Sequence, residues 1–256
     1  MITKVTIEMI DEKMAQVNAL SAEARQKMDE IKRENELSED EYQLVQQTVF
    51  APVREVAVEQ WFLQAQYSIS QKAWDSARDF ILSDPITMEL AFKNKLYEEF
   101  PKERAYDLIL DAYLWQGCSK APVRAALRKI RKYGDPQLPA EFGDEIVIYR
   151  ACVRKIDAVV KSMSWTTDQD AVIWFRRVKW ECLHKPVHIY EGRIRREDVL
   201  AYTNKVMQSE VIQYGKVYDV KEIYLDDKPN SPRINKMVNL MRQITFLGVT
   251  NIDKAI

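Results

Sequence analysis

The sequence predicts an α+β chain, an all-helical first half followed by a mixed β-sheet domain. Three observations carry this. Apolar residues recur at helical spacing between capping signals through the first half; Gly134-Asp135-Pro136-Gln137-Leu138-Pro139 forms a turn-rich break; and short β-type runs follow it. The domains are therefore expected at 1–138 and 139–256.

In the first half, a long polar amphipathic segment covers about residues 4–35. Ser38 and Glu41, three positions apart, make a capping box for the next helix. Pro52 marks a place for a new helix to begin, with apolar residues recurring through Val56, Trp61, Ala65 and Ile69. Asp84-Pro85 reads as a cap followed by proline at the first helical position. Gly117 closes the segment around Leu108–Trp115, and Ser119 opens another. That helix sets Val123, Leu127 and Ile130 on one face and ends at Gly134. Its other face carries Arg124, Arg128, Lys129, Arg131 and Lys132. The reading is a solvated face with cations near the helix C-terminus, where the macrodipole favours them. A phosphate- or partner-binding surface is the alternative.

In the second half the β-type runs are Glu145–Val153, Val187–Ile194, Val199–Tyr202, Glu210–Tyr214 and Val217–Tyr224. Between the first two lies a helix that Thr167 can cap, with Ala171, Trp174, Phe175 and Val178 at i, i+3, i+4, i+7. A last helix is expected near Ile234–Phe246.

Composition narrows the function classes. The 256 residues are 46% hydrophobic and 30% charged, an ordinary globular balance. No apolar run approaches the roughly 18 residues of a membrane span, and Met1–Gln16 holds no apolar core of a signal peptide. Three scattered cysteines build no disulfide framework. These features predict a cytoplasmic protein without a membrane partner. Residues 1–140 carry 19 basic and 23 acidic groups, a balance of −4, whereas 141–256 carry 19 and 16, a balance of +3. The second half thus tilts toward anionic ligands, too weakly to argue for nucleic acid. The six glycines fall at neither dinucleotide-fingerprint nor P-loop spacing. Cys182, His184 and His188 lack a convincing fourth zinc ligand, so no metal is expected. Two histidines assemble no nucleophilic triad.

An ordered set remains. The run Ile146-Val147-Ile148-Tyr149 ends in Arg150. Fourteen positions later comes Ser164-Trp165-Thr166-Thr167-Asp168, leading into the apolar-faced helix. Later still, Gln208-Ser209-Glu210-Val211-Ile212 makes a Gln-x-Glu step into a strand. In order and surroundings the set, over about residues 144–224, resembles the arginine–serine–glutamate class of ADP-ribosyltransferases. The stretch from Val187 to Thr203 is similar to the paired strands that those domains place before the glutamate.

The resemblance implies an ADP-ribosyltransferase-like sheet domain using NAD as substrate. Cleaving NAD at the nicotinamide ribose passes through an oxocarbenium-like transition state. Glu210 would stabilise that developing charge and hold the ribose 2′-hydroxyl. Arg150, always cationic, would hold pyrophosphate or ribose oxygens. Short hydroxyls at Ser164, Thr166 and Thr167 would orient the glutamate and the sugar, and Trp165 would offer a stacking face. Either Ser164 or Thr166 takes the serine's part, because the family's Ser-Thr-Ser is not literal here. Gln208 stands where a glutamate accompanies arginine modification, so the resemblance points to a macromolecular acceptor other than arginine, a protein ahead of a nucleic acid. Transfer to water, making an NAD glycohydrolase, and an inactive binding module on the same fold are the alternatives.

Overall fold

A computed structural model describes residues 5–115, 120–205 and 209–226. Gly117, Ser119, Gln208 and the helix expected near Ile234–Phe246 lie outside those residues. The chain divides into two compact units, Met1–Val123 and Arg124–Ile256. The turn-rich segment Gly134–Pro139 lies inside the second unit, ahead of its first strand.

The first unit is helical. Helices α1 (Ile7–Glu34) and α2 (Glu39–Ser70) run antiparallel, as the Lys13–Glu59 ion pair at 2.6 Å requires. The capping box forms as read: the Ser38 side chain accepts from the Glu41 N–H, and Glu41 returns to the Ser38 N–H at 3.0 Å. Pro52 differs from expectation, because it sits inside α2 and begins nothing. Proline removes one intrahelical donor, and α2 continues past it to bury Ala57, Val58, Ala65 and Ile69. Helices α3 (Trp74–Leu82), α4 (Pro85–Lys93) and α5 (Lys102–Trp115) complete the unit around Ile81, Met88, Phe92, Leu108 and Ile109. Asp84 caps α4 by accepting from the Ile86 N–H at 2.7 Å and holds Arg54 at 2.8 Å. The boundary between units falls within α6 (Ala121–Leu127).

The second unit is built on a six-stranded sheet. Strand β1 (Glu145–Cys152) is followed by a short helix α7 (Ile156–Val159), then β2 (Ser164–Thr166) and helix α8 (Gln169–Leu183). Strands β3 (His188–Arg195), β4 (Ala201–Thr203), β5 (Glu210–Ile212) and β6 (Tyr218–Ile223) follow. Their spatial order is β4-β5-β2-β1-β3-β6, and every pairing is antiparallel where a mixed sheet was expected. Each of the five β-type runs yields a strand, and β2 adds a sixth in the hydroxyl segment.

Strand alternation splits the core by face. Ile146, Ile148, Cys152, Trp165, Tyr190 and Val211 pack together on one side of the sheet. Tyr149, Ala151 and Ile189 face α8 on the other, against Ala171, Val172 and Trp174. Gly192 is required where β3 carries its irregularity opposite β6, because a Cβ there would lie 2.6 Å from Val217 Cγ1. The cap of α8 is Asp168 and not Thr167: its carboxylate accepts from the N–H groups of Asp170 (2.9 Å) and Ala171 (3.3 Å). A carboxylate at that end gains from the helix dipole as well as from the orphan donors. Thr167 is spent differently, donating its own N–H to the Ser209 carbonyl at 3.1 Å.

Candidate functional site

Antiparallel register brings the expected residues together from positions far apart in the chain. Thr166 on β2 lies opposite Tyr149 on β1 and opposite Glu210 on β5, and Glu210 in turn lies opposite Thr203 on β4. Directly opposed residues point to one face of a sheet, so Tyr149, Thr166, Glu210 and Thr203 form a row across four strands. Ser164, two residues before Thr166, shares that face as a diagonal neighbour of Glu210.

Glu210 is 8% exposed. Burial pushes its carboxyl above the ordinary glutamate range, while a hydrogen bond from the Ser164 hydroxyl and the charge of Arg150 pull against that push. Arg150, Ser164 and Glu210 therefore act on one another. Of the two candidate hydroxyls, Ser164 is the one that acts on the ionisation of the glutamate. The Thr166 hydroxyl accepts from the Asp168 N–H at 3.0 Å, which turns the chain out of β2 into α8.

Arg150 leaves β1 on the opposite face, the side of Ile148 and Cys152, with Tyr190 as its partner on β3. Its Nη1 donates to the Ser164 carbonyl. Its Nε is buried and has no hydrogen-bond partner among the described residues.

The backbone entering β5 is shaped for Glu210. Ser209 has φ +45°, a left-handed conformation that costs a residue with a Cβ. It is clamped from two sides: Asn204 Oδ1 accepts its N–H at 3.1 Å, and its carbonyl takes the Thr167 N–H. Because residue 209 is not extended, the two-residue alternation from Glu210 does not carry back across it. Gln208 lies outside the described residues.

Trp165 is corrected. It is 2% exposed, packed among Ile146, Ile148, Val199 and Val211, with its Nε1 donating to the Ser162 carbonyl at 3.0 Å. A ring enclosed on both faces is a core residue and offers no ligand a stacking surface.

The chain matches no known family model, no curated protein and no solved structure.

Other sequence features settle elsewhere. His188 Nδ1 pairs with Glu222 at 2.6 Å, and among the described residues no group of three His, Cys, Asp or Glu is placed to hold a metal. Among those residues no helix is long and apolar enough to cross a membrane. The basic helix face is partly structural: Arg128 stacks on the Tyr214 ring at 4.1 Å, and Arg131 donates to the Val199 carbonyl at 2.9 Å and pairs with Asp135. An open groove of about 550 Å³, lined by Arg131, Asp135, Asp144, Arg195 and Glu197, excludes Arg150, Ser164 and Glu210. Two ion pairs, Arg131–Asp135 and Arg195–Glu197, lie in it.

Sequence reading missed Thr203 and Lys179. Thr203 was discoverable as the residue following a β-type run that register sets against Glu210. Lys179 shows in the sequence only as a cation breaking the apolar face of α8, one position after Val178.

Proposed function

We propose that the chain is a mono-ADP-ribosyltransferase, transferring ADP-ribose from NAD to a macromolecular acceptor other than arginine. One observation carries the reading: on three adjacent strands, β1, β2 and β5, register sets the buried Glu210 diagonally from Ser164, and the Ser164 hydroxyl and the Arg150 charge both favour its ionised form. A carboxylate held in a site of low polarity, oriented by a hydroxyl and a fixed cation, is suited to stabilise an oxocarbenium-like sugar. Glu210 would meet the nicotinamide ribose as that positive charge develops. The Ser164 hydroxyl would keep one carboxylate oxygen turned toward the sugar. Arg150, half-buried like Ser164, would take ligand oxygens with the donors that the Ser164 carbonyl leaves free. Water is kept from the glutamate by Thr166 and Thr203, each about 95% buried. The acceptor assignment rests on Gln208 through the family resemblance alone.

The test is incubation with labelled NAD and a cell lysate, comparing wild type with Glu210→Ala, followed by mass spectrometry for ADP-ribose on protein and nucleic acid. Label that depends on Glu210 is expected on protein. Nicotinamide release without labelled macromolecule would make the chain a glycohydrolase. Unchanged labelling in the variant would remove Glu210 from the mechanism. Failure of NAD to raise the melting temperature would leave a binding module on the same fold.

A further inference from the structure

Strands β1 and β2 register a single pair, Tyr149 with Thr166. Continuing that register would set Ala151 opposite Ser164. Instead each of those carbonyls takes a cation: Ser164 accepts from Arg150, and Ala151 accepts from Lys179 Nζ at 2.9 Å. Two charged side chains, one from β1 and one from α8, are thus anchored where the strands part. A third cation stands at the exit of β1. The Arg154 backbone is pinned there, its N–H on Cys152 Sγ at 3.3 Å and its carbonyl under the Tyr190 hydroxyl at 3.0 Å. Its side chain is exposed.

These three cations have no ion-pair partner among the described residues. Their mutual effect registers on Lys179, whose ammonium falls to about 8, through burial first and then through Arg150 and Arg154, with Cys152 acting the other way. Gathering like charges around a largely buried ammonium is unfavourable unless something of opposite sign completes the arrangement. Glu210 lies near Arg150, and the pair interaction is already present while Lys179 remains depressed. The Arg150 Nε, buried without an acceptor, adds an unused donor to the same corner.

We propose that Arg150, Lys179 and Arg154 form a binding corner for a pyrophosphate group, the diphosphate bridge of a dinucleotide. A carboxylate ligand would neutralise one of three cations. A pyrophosphate carries two or more negative charges on two phosphorus centres, which lets a half-buried pair and an exposed arginine share it. Guanidinium groups bond phosphate oxygens through two donors at once, and the lysine serves as a point charge between them. That the bridge belongs to NAD rests on the transferase reading; the corner's affinity for pyrophosphate does not.

The experiment is calorimetric titration with inorganic pyrophosphate and, separately, with NAD, at pH 8 in buffers of differing ionisation heat. Wild type is expected to bind pyrophosphate with more net proton uptake than a variant with a permanent charge at 179, because the anion restores a charge that Lys179 has partly lost at that pH. Lys179→Gln should weaken pyrophosphate at least tenfold, and Arg154→Gln several-fold. Lys179→Arg keeps the charge, so it should fold and bind, yet lack the part of the proton uptake that Lys179 contributes; this variant separates lost charge from lost folding. Absence of pyrophosphate binding in wild type, or equal binding by Lys179→Gln, overturns the corner. Pyrophosphate binding that needs Lys179, in a protein that neither binds nor cleaves NAD, upholds the corner and removes the transferase. NAD cleavage that needs Glu210 but ignores Lys179→Gln does the reverse.

Discussion

Replacing Glu210 by glutamine should make the protein more stable and nearly inactive, and the two effects come from one cause. Glutamine keeps the shape of the side chain and can still hydrogen-bond the Ser164 hydroxyl. It removes the charge. The glutamate carboxyl is held above its ordinary range, with the Arg150 attraction and the Ser164 bond already counted against burial. The fold therefore accommodates the neutral form better than the ionised one. For an acid raised in the folded state, the native protein holds its proton to higher pH than the unfolded chain. Stability then falls as pH rises from the unfolded value near 4.3 through the folded one, and the cost is fully present above it. The neutral variant escapes that cost. The gain is read at pH 7 as a higher melting temperature for the variant. The transition-state term runs the other way: losing a preorganised charge beside a developing one costs about 10²- to 10³-fold in rate. The assay pairs thermal melts of wild type and Glu210→Gln from pH 4 to 8 with nicotinamide release at pH 7. The melting curves should converge at the acid end and separate as pH rises. A variant that melts below wild type at pH 7, or a difference independent of pH, would refute the electrostatic account of Glu210.

Three further perturbations probe the frame around it. Asp168→Ala removes the one oxygen that accepts both N–H groups at the α8 cap, so denaturant melts should show a loss of about 0.5–2 kcal/mol. Gly192→Ala places a Cβ against Val217 and Val220 at 2.6 and 3.2 Å; overpacking of about 1–3 kcal/mol is expected in the same measurement. Lys179 titrates near 8 in the fold and near 10.4 when unfolded, so the unfolded chain binds the extra proton between those values. Stability from this group accordingly rises with pH across 8 to 10.4, by up to about 3 kcal/mol. Lys179→Met should flatten that rise, read as the difference between the two proteins' melts.

How much of this was legible depended on the length of the element. Runs of six to eight residues such as β1, β3 and β6 announced themselves because alternation needs that many positions to be distinguished from chance. Strand β2 has three residues, two of them hydroxylated. Nothing in Ser164-Trp165-Thr166 separates a strand from a loop before a helix, and only its pairing with both β1 and β5 makes it one. Trp165 was misplaced for the same reason: an aromatic in a supposed loop reads as available, and in a central strand it is core. The cap of α8 went to Asp168 over its neighbour because a charged acceptor satisfies two orphan N–H groups where the Thr167 hydroxyl was read for one. Pro52 punctuated nothing, since α2 runs through it from Glu39 to Ser70 and is held beyond it by the buried Ala57, Val58, Ala65 and Ile69.

The order arginine, serine, glutamate along the chain says nothing by itself about adjacency. Three residues separated by 14 and 46 positions meet only if β2 stands between β1 and β5, and the sheet order β4-β5-β2-β1-β3-β6 supplies that. The same geometry explains why Arg150 and Glu210 can act on one another although alternation sends them to opposite faces. Arg150 meets β2 at its first residue, Ser164, just past the single pair that joins β1 and β2. A ladder continued at full length there would separate the two faces by a closed layer of backbone. With the ladder stopped after one pair, the Ser164 carbonyl is free for the guanidinium on one side while its hydroxyl serves the carboxylate on the other. Ser164 is therefore the residue that acts on both groups, its carbonyl accepting from Arg150 and its hydroxyl favouring the ionised Glu210, and the shortness of β2 that hid it in the sequence is what leaves that carbonyl free.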